Sequence, residues 1–246
     1  MKRDSWQVKI GITLVCVSIL LYLLDFFVFR DINFLSEHTI FELAFLPIEV
    51  IVVSLILDQL LEMRAKQDRI EKLNMVIGVF FSEVGTTSLK EFSKSDPNID
   101  DIRSMLLVGP NWQDEKFKET AKIIKSHTRT IDIKKVDLEK YREFLIGKRK
   151  FLIQLLENPV VLEHESFTEL LRSMFHLAEE LEFRKDLRSL PDSDHAHIKG
   201  DMERVYTRLI NEWLDYMRYM KNNYPYLYSL SMRTNPFDEN ASPIVK

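Results

Sequence analysis

The sequence has 246 residues, 34 Lys and Arg against 38 Asp and Glu, a formal net charge of −4 and a single cysteine, Cys16. This even balance disfavours a nucleic-acid partner, which needs a basic excess to neutralise phosphates, and one thiol excludes both an intrachain disulfide and a thiolate metal cluster. None of the six glycines is spaced for a G-x-G-x-x-G turn or a P-loop, which removes the common nucleotide-binding folds.

Two apolar runs lie near the N-terminus. Residues 10–29, IGITLVCVSILLYLLDFFVF, carry one charge, Asp25, and residues 40–61, IFELAFLPIEVIVVSLILDQLL, are similarly apolar. Each reaches the about 20 residues that a helix rising 1.5 Å per residue needs to cross a bilayer. The first run also exceeds the roughly 7–15-residue core of a signal peptide. Lys2, Arg3 and Lys9 precede it, Arg64, Lys66, Arg69 and Lys72 follow the second run, and the linking residues 30–39 carry Arg30 alone. Basic residues stay on the cytoplasmic side, so the expected setting is the cell (inner) membrane, multi-pass, with both termini cytoplasmic and residues 1–61 as the membrane domain.

Nothing breaks the helix after the second run. It is expected to continue through LEMRAKQDRIEKLNMVIGVFFSEVG to about Gly85, with Glu62/Lys66 and Asp68/Lys72 as i,i+4 pairs in the favourable order. Beyond it, prolines punctuate segments of helical period. Residues 99–107 and 112–127 read as short helices, and residues 129–136 as an extended connector. Asp137 suits the N-cap of a helix to about Asn158, whose inner side carries Tyr141, Phe144, Leu145, Phe151, Leu152, Leu155 and Leu156. A helix over about 163–188 would bury Phe167, Leu170, Leu171, Met174, Phe175, Ala178 and Leu181. The last, roughly 193–223, has a stripe of Ile198, Met202, Val205, Leu209, Trp213, Tyr216 and Met220. The fold class is therefore all-α: two transmembrane helices, the second continuing as a long helix, then a cytosolic helical bundle over 62–228 and an irregular tail over 229–246.

Acidic residues inside a span are costly and mark function. Glu49 lies about 13 Å into the second run at 1.5 Å per residue, and Glu42 stands one heptad earlier on the same face. Asp25 sits near the outer end of the first run. Continued at heptad spacing, the face leads to Ile70, Leu73, Ile77, Phe80 and Val84, an apolar seam that needs a partner. A homo-oligomer packed on that seam would set Glu42 and Glu49 as acidic rings around a wet axis, as in cation pathways. Under the alternative, Glu49 is neutral or bonded to Thr13, Ser18 or Tyr22 of the first span.

The remaining polar groups divide between chemistry and structure. His176 and Glu180 share a helix face at i,i+4, and Glu83, Glu165 and Glu169 are further carboxylates, although no Glu-x-x-His of the di-metal bundles occurs. Asp192, Asp194, His195 and His197 are ligand types as well, but Asp192 or Ser193 also suits the N-cap of the helix beginning there. The metal candidates are thus His176, Glu180, Asp194, His195 and His197, against a solvated charged face and a capped helix start. Trp213, Tyr216, Tyr219, Tyr224, Tyr226 and Tyr228 make the C-terminal region aromatic-rich, for core packing or docking. With no nucleophile elbow, an enzyme is not favoured, and no cofactor is expected.

The stretches LNMVIGVFFSEVG, from Leu73 to Gly85, and NNYPYLYSLSMRTNPFD, from Asn222 to Asp238, resemble segments of uncharacterised prokaryotic two-span membrane proteins. That resemblance implies a prokaryotic membrane setting and no particular activity. The leading expectation is a homo-oligomeric ion-permeation or pore-forming assembly in the lipid bilayer. Its alternative is a membrane-tethered scaffold or sensor that binds a cytosolic protein.

Overall fold

The computed structural model describes residues 4–29, 32–127 and 129–245. It is 81% helical, with no strand among the described residues. Two compact units divide the chain, Met1–Lys66 and Gln67–Lys246.

The first unit holds α1 (Asp4–Phe29) and the beginning of α2 (Ile32–Phe80). Residues 32–39, expected as a loop, are already helical: they contain neither Pro nor Gly, and extending an existing helix costs far less than nucleating one. Pro47 is accommodated inside α2. Among the described residues one helical run, Thr39–Ser95, contains a stretch long and apolar enough to cross a membrane, none of it buried within the chain. The described apolar part of α1, Ile12–Leu24, is shorter than such a stretch.

In the second unit α2 ends in a widened π-turn, Phe81–Gly85, followed by α3 (Thr86–Ser95). Adjacent residues on an ordinary α-helix point about 100° apart, yet both Phe80 and Phe81 are buried. Phe80 meets Phe167 edge-on at 5.3 Å, while Phe81 stacks on Tyr216 at 5.5 Å and 13°. The extra residue in the turn lets both rings reach the core. Gly85 completes it, since a Cβ there would stand 2.5 Å from Phe81 Cδ1 and 2.9 Å from Phe80 Cε1. Gly85→Ala is expected to destabilise this unit by about 1–3 kcal/mol through overpacking, read as a lower midpoint in urea unfolding.

The following helices are α4 (Ile99–Leu106), α5 (Asp114–Ser126), α6 (Leu138–Leu156), α7 (Pro159–Leu162), α8 (Glu165–Phe183), α9 (Asp192–Asn223) and α10 (Pro225–Arg233). Asp137 caps α6 as expected, accepting from the Lys140 N–H at 3.1 Å. His164 Nδ1 accepts from the Phe167 N–H at the start of α8. The expected cap of α9 is not made: the residue at that position is Pro191, which has no side-chain acceptor. Between α5 and α6 the chain runs without regular structure from Arg129 to Asp132, then forms a single 3₁₀ turn, Ile133–Lys135. The segment is anchored by Asp132 N–H to Ser95 O at 2.8 Å and Ile131 N–H to Glu203 Oε1 at 3.0 Å.

Helix α8 packs against both α6 and α9. The inner sides read from the sequence coincide with the core: Tyr141, Leu145, Leu152 and Leu155 on α6, Phe167, Leu170, Leu171, Met174 and Leu181 on α8, and Ile198 to Trp213 on α9. The tail differs from expectation. Helix α10 extends to Arg233, and Phe237 beyond it is buried edge-on against Trp213 at 5.1 Å. Asn235 Nδ2 donates to Leu106 O at 2.8 Å. An apolar ring with a polar anchor beside it holds this irregular segment on the core.

The seam also needs correction. Leu73, Ile77, Phe80 and Val84 are buried in the core of this unit, and only Ile70 remains exposed. The chain's own helices cover the stripe that seemed to call for a second copy.

Candidate functional site

Two turns of helix bring the polar groups together. His176 and Glu180 are one turn apart on α8, and His197 and Asp201 one turn apart on α9. Residues four apart share a helix face, so each helix offers a histidine and a carboxylate to the other. Asp201 Oδ2 stands 3.5 Å from His176 Nε2 and 3.5 Å from His197 Nε2. Glu180 Oε2 is 3.5 Å from His197 Nε2, and its Oε1 is 3.8 Å from His176 Nε2. Ligand atoms of His176, His197 and Asp201 all lie within 4.8 Å of one another.

Burial within this group is uneven. The Asp201 side chain is 3% exposed and its Oδ2 accepts no hydrogen bond, whereas the imidazoles are 46% and 52% exposed. Its Oδ1 accepts from Arg204 at 2.7 Å, which fixes the carboxylate plane. Below the group, Arg184 forks onto Asp194 at 2.7 and 2.6 Å and donates to Glu180 Oε2 at 2.7 Å and to Glu180 O. The Arg184 hydrogen bonds hold both carboxyls, Glu180 and Asp194, below the usual carboxylate range.

Of the expected metal candidates, His176 and His197 belong to the close set, and Glu180, though held by Arg184, stands within 3.8 Å of both imidazoles. Asp194 is also held by Arg184, and neither it nor His195 belongs to the close set. Glu83 pairs with Lys148 at 2.7 Å and Glu169 with Arg172 at 3.0 Å, and among the described residues neither joins a close set of ligand types. Asp201 was missed, although His197-x-x-x-Asp201 repeats the i,i+4 spacing of His176 and Glu180.

The acidic residues of the apolar runs lie in the other unit. Tyr22 donates to Glu42 Oε2 at 2.8 Å, so this hydroxyl serves Glu42 and not Glu49. Glu49 is exposed within its unit. The side chain of Asp25 lies outside the described residues. The C-terminal aromatics divide: Trp213 and Tyr228 are buried, with Tyr228 donating to Gly109 O at 2.8 Å, Tyr216, Tyr219 and Tyr224 are half-buried, and Tyr226 is exposed.

Residues 69–233 match the family described as "Uncharacterized protein MJ1433, C-terminal helical domain", and residues 2–61 match "MJ1433, N-terminal helical domain". A relative named "Uncharacterized protein MJ1433", from Methanocaldococcus jannaschii, is 45% identical over 246 residues, covering 100% of this chain and 98% of the relative. No solved structure matches the chain. The chain, with both helical domains in order, belongs to the MJ1433 family.

Proposed function

We propose that the chain is a membrane-tethered helical module of the sensor or scaffold type. In this reading its apolar N-terminal helices anchor it, both termini are cytoplasmic, and the unit from Gln67 onward meets a cytosolic protein. The observation that carries the reading is the exposed apolar surface of α2 from Ile40 to Leu61. Fifteen Leu, Ile, Val and Phe residues lie in residues 40–61. At roughly 0.3–0.6 kcal/mol each in a bilayer centre, they favour insertion by about 5 kcal/mol or more. A central charged side chain costs about 3 kcal/mol on the same scale, so Glu49 does not reverse the balance. Arg64, Lys66, Arg69 and Lys72 would hold the cytoplasmic end.

The tether is favoured over the pore because a pore needs several copies, and four of the five seam residues that would join them are buried in the chain's own core. Glu42 and Glu49 remain as support for the pore.

In cells expressing the full-length chain, the protein is expected in the membrane pellet after an alkaline carbonate wash. Release into the supernatant would overturn the anchor. Cation flux through liposomes holding the purified protein, abolished in Glu49→Gln, would replace the tether by the pore.

A further inference from the structure

We propose that His176, His197 and Asp201, with Glu180 beside them, form a binding site for one divalent first-row transition cation across α8 and α9. This stands without the membrane reading, because all four residues lie within the unit from Gln67 to Lys246.

The distances suit a cation shared between the side chains. A histidinium donating to a carboxylate would approach to about 2.7–2.9 Å. Here two Nε2 atoms face the same oxygen at 3.5 Å, and that oxygen accepts no hydrogen bond. Ligands about 2.0–2.1 Å from a tetrahedral ion stand about 3.3–3.4 Å apart. The two pairs onto Asp201 Oδ2 at 3.5 Å are therefore spaced close to edges of such a tetrahedron. A buried carboxylate oxygen left without a donor is costly, and a cation shared with the two imidazoles would satisfy it.

The donor set selects the class of ion. Imidazole nitrogen with carboxylate oxygen suits zinc, iron or manganese, whereas copper(I) and iron–sulfur clusters require soft sulfur ligands. Three of the ligands come from His176, His197 and Asp201; Glu180 Oε1, 3.8 Å from His176 Nε2, borders the fourth position. Both carboxylates already have an orienting partner, as metal ligands commonly do. Arg204 fixes Asp201, and Arg184 fixes Glu180. The half-exposed imidazoles give an ion a path from solvent.

The test is titration of Zn²⁺ by calorimetry, and of Co²⁺ by its visible spectrum, into the purified full-length protein in mild detergent. One equivalent per chain is expected, with the absorption of four-coordinate cobalt. The double variant His176→Ala/His197→Ala should bind at least about 100-fold more weakly, the upper end of what disturbing an outer-shell partner alone costs. Both histidines are half-exposed, so the variant should keep its helical circular dichroism. His195→Ala should bind as the wild type. Equal binding by wild type and double variant, or no equivalent in the wild type, would overturn the site. Loss of binding in His195→Ala alone would move the ion to the start of α9 and equally reject this assignment.

Discussion

Phe80→Ala is expected to lower the unfolding free energy of the second unit by about 3–5 kcal/mol, the usual cost of removing a buried aromatic ring. Phe80 is fully buried, edge-on to Phe81 at 5.4 Å and to Phe167 at 5.3 Å. Its removal takes away apolar burial and two aromatic contacts, and leaves a cavity where α2 meets α8. Neighbouring rings cannot easily collapse into that space, because Phe81 is committed to its stack with Tyr216. The effect should be the same at all protein concentrations in urea unfolding, since the ring packs within one chain. A loss of stability that vanishes at high protein concentration would instead place Phe80 between copies and restore the oligomeric seam.

That experiment concerns a feature which periodicity shows only by half. The stripe from Ile70 to Val84 declares that one side of α2 must be covered; it carries no information about which surface covers it. The answer depends on Phe167 and Tyr216, far along the chain. The π-turn is hidden for the same reason: Phe81 needs to turn inward only because Tyr216 waits there. Amphipathic helices α6, α8 and α9 were legible because their signal is local, with apolar residues recurring at the helical period. The held tail was not, since Phe237 and Asn235 gain their roles from Trp213 and Leu106, on two other helices.

The candidate site was legible in the same partial way. The i,i+4 rule identifies His176 and Glu180 as neighbours without any tertiary knowledge. Applied to His197 it would also have reached Asp201. Grouping ligand types by nearness in the chain led instead to Asp194 and His195, at the start of α9. Asp194 illustrates why nearness misleads: its partner is Arg184, outside that run, and the fork between them closes the segment linking α8 to α9. That α8 and α9 present their two pairs to each other follows from the apolar packing between them.

The second large effect is expected at Arg129, which is 6% exposed and whose charge acts through space on the buried Asp96. Its guanidinium donates to Ile124 O and, at 2.8 Å, to His127 O, closing the C-terminal end of α5. Arg129→Ala should destabilise the unit by about 3–5 kcal/mol, because two carbonyls lose charged donors and a buried carboxylate loses a compensating charge. The pH dependence tests the second cause. Burial raises the Asp96 carboxyl above its ordinary value, while the Asn98 N–H and the charges of His127 and Arg129 pull it back down. A carboxyl raised in the folded state favours folding below its unfolded value of about 3.9, and that contribution is lost as pH rises through the folded value. Without Arg129 the folded value climbs further, so the loss extends to higher pH than in the wild type. The deficit of Arg129→Ala should therefore be greatest near neutrality and shrink as the pH approaches 4, and Asp96→Asn should reduce the damage at pH 7 when combined with it. A deficit constant across this range would assign the whole effect to the two carbonyls at the end of α5 and leave Asp96 without a role in it.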